Sequence, residues 1–289
     1  MKLFRYGPPG EEKPGLVNHE GQHFDVSEFV DDFNEEFFSG DGLSDLDTWI
    51  ENNPNACKRI DNIERFGPPI KNPSKLICIG LNYTDHALES NTSVPTEPVV
   101  FFKSTSAIVG PNDELTIPKN SKKTDWEVEL SVVIGKKASY VEEKDAAKYI
   151  AGYMLHNDYS EREFQLERGG QWVKGKSCNT FAPIGPYLVT PDEAGDIENL
   201  RLWLTVNGKI MQDGNSGKMV FKIPFLIHYL SQFMTLLPGD IISTGTPAGV
   251  GLGQKPEPVY LKAGDVVELG IDGLGSSKQK AVAYSPAVV

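Results

Sequence analysis

Short runs of β-branched and aromatic residues recur along this 289-residue chain, and irregular Gly- and Pro-bearing segments separate most of them. Such runs read as strands over residues 2–6, 15–18, 75–80, 99–103, 126–134, 153–157, 201–207, 241–244 and 266–271. Helical patterns are fewer: 27–37, 44–52, 85–90, 144–152 and 224–233. This is not the regular strand–helix alternation of a doubly wound sheet. It predicts a mixed, β-rich α+β fold. No internal repeat and no low-complexity tail is visible.

Charge divides the chain unevenly. Residues 1–70 hold 6 basic and 15 acidic side chains, and residues 71–289 hold 22 and 25. The shift falls near Gly67-Pro68-Pro69-Ile70, where Gly and Pro precede a strong strand. It predicts two domains: a small acidic α/β domain over 1–70 and a larger one over 71–289. The acidic run Asp31 to Glu36 reads either as a binding surface or, more plainly, as a solvated helix face. A net charge of −12 lacks the basic footprint of a general nucleic-acid binder. No run of about 18 apolar residues exists, so no membrane span is expected. The start has no apolar signal region, and the three cysteines, Cys57, Cys78 and Cys178, form no metal or disulfide pattern. Both features point to a reducing cytoplasm.

Five segments carry chemistry. In Asp125-Trp126-Glu127-Val128-Glu129-Leu130, strand spacing would put Glu127 and Glu129 on one face. The plain alternative is the wet face of an edge strand. Asp158 follows the apolar run 153–157, where a strand leaves the core. Three carboxylates form a hard oxygen set suited to Mg²⁺, Mn²⁺ or Ca²⁺. Zinc fits poorly, because the five histidines are scattered, and His156 reads first as a core residue. If 85–90 is helical, His86 and Glu89 are neighbours at i and i+3, either a surface pair or an oriented base. Lys174 and Lys176, with Arg162 and Gln165, could hold a carboxylate or stabilise an enolate. Residues 244–251 (TGTPAGVG) form a Gly-rich loop that brings backbone N–H groups and a hydroxyl near an anion. It lacks a P-loop lysine, so nucleotide binding is a weak reading.

Taken in order, CIGLNYTDHALE, EPVVFFKS, DWEVELSVVIG, HNDYSEREFQ, WVKGKSCNTFAPIGP, LWLTVNGK and GDIISTGTPAGVG resemble the fumarylacetoacetate hydrolase superfamily from about Lys75 to Tyr284. The resemblance implies a mixed β-roll catalytic domain, often a homodimer, behind a small N-terminal domain. It implies that Glu127, Glu129 and Asp158 hold a divalent metal, Mg²⁺ with Mn²⁺ as an alternative. His86 and Glu89 match a catalytic dyad, Lys176 an active-site lysine, and Arg162, Gln165 and Thr246 substrate-facing positions. Within the superfamily the wording is similar to proteins labelled ureidoglycolate lyase and to 2,4-diketo-3-deoxy-L-rhamnonate and L-fuconate hydrolases. The second similarity implies hydrolysis of a C–C bond in a 2,4-diketo acid, giving pyruvate plus L-lactate. Oxaloacetate decarboxylase, tautomerase or ureidoglycolate lyase activity on the same site is the competing expectation, and a non-catalytic ligand-binding role is a further one. The expected partner is a small diketo acid, with no nucleic acid and no membrane.

Overall fold

A computed structural model describes residues 1–53, 56–89 and 93–286. The fold is mixed α/β, rich in strands and poor in helices. Among the described residues, its main sheet has eleven strands. From one edge the order is Lys58–Ile60, His23–Asp25, Lys13–Val17, Lys2–Tyr6, Leu188–Val189, Ile150–Asn157, Val128–Ile134, Ile241–Ser243, Leu76–Gly80 and Val99–Lys103. Phe66–Gly67 pairs with Lys2–Tyr6 off this path. A second, five-stranded sheet runs Lys209–Asn215, Arg201–Val206, Val266–Ile271, Gly275–Ala283 and Leu115–Ile117. Among the described residues, no helix is long and apolar enough to cross a membrane.

The centre of the main sheet positions the candidate site. Val128–Ile134 (VELSVVI) is buried at every position. Its β-branched residues suit a pleated surface packed on both sides. It pairs antiparallel with Ile150–Asn157, Val128 facing Asn157 and Glu129 facing His156. On its other side it meets Ile241–Ser243, which runs parallel to Leu76–Gly80. The wet-edge alternative for this segment therefore fails, because the strand lies inside the sheet.

Several element expectations shift. The strand expected from residue 126 begins at Val128, so Glu127 precedes it. The helix expected over 27–37 is Glu35–Ser39, opened by Asn34, whose side chain accepts from Phe37 N. Before it the chain turns to bring Asp32 onto Arg5, with both guanidinium bonds at 2.5 and 3.0 Å. Asp32 is only 3 % exposed, so this part of the acidic run is not a solvated helix face. The helix expected over 144–152 is a 3₁₀ segment, Glu143–Tyr149, and Ile150 already belongs to the strand. The short helix expected to reach Ser90 is Thr84–Glu89, and Ser90 lies outside the described residues.

The first seventy residues join the main sheet through two registered pairs, Lys2 with Val189 and Leu3 with Leu188. A charged contact links the two parts as well: Arg65 reaches Asp113 and also Glu12, which in turn meets Arg5. A cleft of about 660 Å³ is lined by Arg5, Glu12, Arg65, Lys71 and Asp113, and each of these charges has an ion-pair partner, Lys71 with Asp32.

Candidate metal centre and active site

Glu127 and Glu129 converge through tertiary latches. Glu127 N donates to Asn157 Oδ1 at 3.0 Å, and Glu127 O accepts from Asp158 N at 2.9 Å. Val128 N donates to Gln212 Oε1 at 2.9 Å. The first two bonds hold Glu127 against the end of Ile150–Asn157, where Asp158 emerges, and the third ties Val128 to Lys209–Asn215. Each of Glu127, Glu129 and Asp158 offers a carboxylate oxygen within 4.8 Å of the others, and all three are buried.

Basic side chains flank this acidic group. Lys176 Nζ lies 2.7 Å from both Glu127 Oε2 and Asp158 Oδ2. Lys103 Nζ bonds Asp158 Oδ1 and Tyr159 O. Arg162 Nε donates to Asp125 Oδ2 at 2.7 Å and Nη1 to Gln165 Oε1 at 3.0 Å. Its Nη2 lies 2.7 Å from Glu127 Oε1 as an ion-pair contact without an aligned hydrogen bond. The buried group thus sets four carboxylates, Asp125 included, against three cations. Such burial is costly unless charges are balanced.

The imbalance falls on Glu129. Burial, then the charges of Asp158 and Glu127, raises its carboxyl well above the usual range. Burial also pushes Asp158 up, but the ammonium groups of Lys103 and Lys176 outweigh it and hold Asp158 well below the usual range. Burial opposes the charge of Lys176, yet Asp158 and Glu127 keep it firmly protonated. A hard divalent cation fits this set in ligand type and in sign: it supplies the missing positive charge to an oxygen-only cluster. His156 is not among the grouped ligands. Its Nδ1 meets Ser243 Oγ at 2.7 Å, and burial lowers its pKa to about 3, the core role expected of it. Ser243 in turn donates to Glu129 Oε2.

His86 and Glu89 lie on the Thr84–Glu89 helix with Nδ1 3.4 Å from Oε2. His86 is 8 % exposed, so the pair is not a surface pair. Gly249 N, in the Gly-rich loop, lies 3.0 Å from both oxygens of Glu89. His86, Glu127, Glu129, Arg162, Gln165, Lys176 and Thr246 line one cavity of about 210 Å³. Asp158 sits behind Lys176 and Glu89 behind His86, joined to the cavity through those bonds. Thr246 lines the cavity, but its hydroxyl already donates to Val128 O and accepts from Gln212 Nε2. Lys174 is exposed and bonds Arg168 O outside the cavity.

Lys103 and Asp125 escaped the sequence reading. Lys103 shares the strand face of Phe101, which lines the cavity, and that i, i+2 relation was the available signal. Asp125 accepts from Arg162, Gly251 N and Leu252 N, tying the guanidinium to the Gly-rich loop.

Residues 75–282 match the model of the fumarylacetoacetate (FAA) hydrolase C-terminal family. The chain belongs to this family. A Burkholderia cenocepacia protein named in general terms as a hydrolase is 54 % identical over 279 residues, 96 % of this chain and 98 % of that one. The fumarylacetoacetate hydrolase of Exiguobacterium antarcticum superposes with a TM-score of 0.85 at 32 % identity, covering 98 % and 100 % of the two chains. A Mycobacterium abscessus protein described as a 2-hydroxyhepta-2,4-diene-1,7-dioate isomerase gives 0.82 at 32 % identity, covering 99 % and 100 %. Within the fumarylacetoacetate hydrolase family, then, this enzyme sits among hydrolases and isomerases, and its buried acidic triad has the composition of a divalent-metal site.

Proposed function

We propose that this enzyme hydrolyses a C–C bond of a 2,4-diketo acid with the help of Mg²⁺, or Mn²⁺ in its place, and releases pyruvate. The observation that carries this reading is a single cavity lined by metal-type carboxylates, a buried lysine and an oriented histidine. A divalent cation held by Glu127, Glu129 and Asp158 would supply Lewis acidity toward the 2-oxo acid head. Nδ1 of His86 is engaged by Glu89, leaving Nε2 as the base for a water. That water adds to the C4 carbonyl while its proton moves to His86. The C3–C4 electron pair then departs as pyruvate enolate, and the proton on His86 returns to C3. Lys176, kept cationic by Asp158 and Glu127, stabilises the negative charge that develops on the leaving enolate.

These residues recognise the head of the substrate. The 6-deoxy-sugar tail expected from the family resemblance would leave as L-lactate and adds one hydroxyl to the acyl part. A homodimer in the cytoplasm belongs to the same proposal, and sedimentation velocity reads the oligomeric state. The test of the reaction is pyruvate release from a panel of acylpyruvates with Mg²⁺ or Mn²⁺. Glu127→Gln should lose metal affinity and turnover together, with circular dichroism unchanged. Unchanged Mg²⁺ affinity in that variant would remove Glu127 from the ligand set. An isomerase reading is favoured by the Mycobacterium abscessus neighbour, and decarboxylation is the other reaction open to the same head chemistry. His86→Ala should spare decarboxylation more than hydrolysis, because decarboxylation needs no water activated at C4, and product analysis, pyruvate against an isomerised diacid, separates hydrolysis from isomerisation.

A further inference from the structure

The cavity that holds the head groups is otherwise walled by carbon. Ile79 and Leu81 come from the end of the Leu76–Gly80 strand and the turn after it, and Phe101 comes from Val99–Lys103. Leu166, Trp172 and Leu252 complete this wall from three further segments. Phe101 and Trp172 meet edge-on, with ring centroids 5.3 Å apart. Among the described residues, Leu81, Leu166, Trp172 and Leu252 do not belong to the continuous hydrophobic core. Leu81, Trp172 and Leu252 are half-buried and Leu166 is exposed, and each presents apolar surface to the cavity.

The backbone presents Leu81 in an unusual way. Its φ is +55°, a left-handed conformation uncommon for a bulky L residue. Both neighbours hold it there. A Cβ on Gly80 would come within 2.6 Å of Trp172, so only glycine lets the indole close over this turn. Asn82 is clamped by its side chain: Nδ2 donates to Phe221 O at 3.0 Å and Thr244 O at 2.7 Å, and Oδ1 accepts from Phe221 N at 2.8 Å. The polar groups lining the cavity, by contrast, are largely engaged. Thr246 is bonded to Val128 O and Gln212, and Arg162 to Asp125 and the Gln165 carbonyl.

We propose that the apolar wall of this cavity selects a small apolar tail, alkyl or aryl, and that Leu81 is the residue that sets this preference. The proposal rests on the head chemistry given above, and for the tail it replaces the hydroxylated 6-deoxy-sugar group expected from the resemblance with one that carries no hydroxyl. A hydroxyl on the tail loses its water partners against this wall, which weakens transition-state binding about tenfold or more. Each added methylene gains about fourfold until the cavity is full. The cavity is small, so the gain ends after a few carbons.

The experiment compares 2,4-dioxohexanoate with its 5-hydroxy derivative on the full chain with Mg²⁺. The two acids differ by one hydroxyl. The expected result is a kcat/KM at least tenfold higher for the first. In Leu81→Asn, whose side chain tolerates left-handed backbone and offers a polar partner, the ratio should collapse to about threefold or less. Equal or better turnover of the hydroxylated acid by the wild type overturns the proposal, and so does a folded Leu81→Asn with an unchanged ratio. If Leu81→Asn fails to fold, the wild-type ratio still decides. Calorimetric affinities of the same acids for His86→Ala with Mg²⁺ order the tails without chemistry. If no acylpyruvate is turned over but the affinity order holds, the hydrolytic reading falls and the tail preference stands. If turnover occurs and the affinity order is reversed, the tail preference falls. If neither acid binds, both are overturned.

Discussion

Glu129 and Asp158 are buried carboxylates in one cluster, yet their surroundings push them in opposite directions. Asp158 is bonded to two ammonium groups, those of Lys103 and Lys176. Glu129 receives only neutral donors, the Ser243 hydroxyl and Gly245 N, and faces two other carboxylates. Its raised pKa means that it holds its proton to higher pH than an ordinary carboxyl. A cation needs the anion, so Mg²⁺ affinity should weaken as pH falls below that raised value and strengthen as pH rises through it. Titration calorimetry in two buffers of different ionisation enthalpy should show proton release on binding, absent in Glu129→Gln. A binding enthalpy that ignores the buffer would remove this linkage. The dyad makes a second residue-scale prediction. His86→Ala, Glu89→Ala and the double variant should each lose about 10²–10⁴-fold in kcat, the double far short of the product of the singles, because the two side chains act as a unit. Near-wild-type rates in all three would return them to the status of a structural pair. Metal affinity, measured alongside, should stay within about threefold.

The Thr84–Glu89 helix is too short to be stable alone, so its orientation depends on what it packs against. That partner is the Gly-rich loop after Ile241–Ser243. Gly249 has φ +107°, and a Cβ there would sit 2.0 Å from Met211 O. Glycine is therefore required where the loop offers its N–H to Glu89. Gly249→Ala should displace that N–H, loosen Glu89 and His86, and lower kcat by about tenfold or more with Mg²⁺ affinity little changed. The check is steady-state turnover beside calorimetry, and full activity in a folded variant would show that the loop does not position the dyad. Local pattern misled at Glu143–Tyr149, where good helix formers adopt 3₁₀ turns feeding a strand. Propensity is a weak prior there, because the sheet takes up Ile150.

Across the whole molecule, the first seventy residues extend the sheet that carries the metal-type carboxylates. Deleting them would uncover the Leu188–Val189 strand and the apolar surface that Leu3, Phe33 and Phe38 pack against. Such an open edge and apolar face favour aggregation. A 71–289 fragment should melt at lower temperature and lose much of its soluble yield. Its soluble folded fraction should still bind Mg²⁺ within about threefold of the full chain, because Glu129 lies on Val128–Ile134 between Ile150–Asn157 and Ile241–Ser243, all three beyond the cut. A folded fragment with no Mg²⁺ affinity would show that the N-terminal strands shape the site.

What the sequence alone determined is the material with short-range periodicity. The strands at Lys2–Tyr6, Leu76–Gly80, Val99–Lys103 and Val266–Ile271, and the helix Ile223–Phe233 opened by Pro224, were legible because alternation, β-branching and capping act over a few residues. The i, i+3 spacing of His86 and Glu89 was legible for the same reason. Only the tertiary structure decided which charges are buried and what they meet. Glu127 reaches the cluster through Asn157, Lys103 turns inward to Asp158, Asp32 is drawn to Arg5, and the Thr246 hydroxyl is committed to Val128 and Gln212. Each of these depends on partners distant along the chain, and the cost of burying an unpaired charge selects the partner only once the sheet has brought it near.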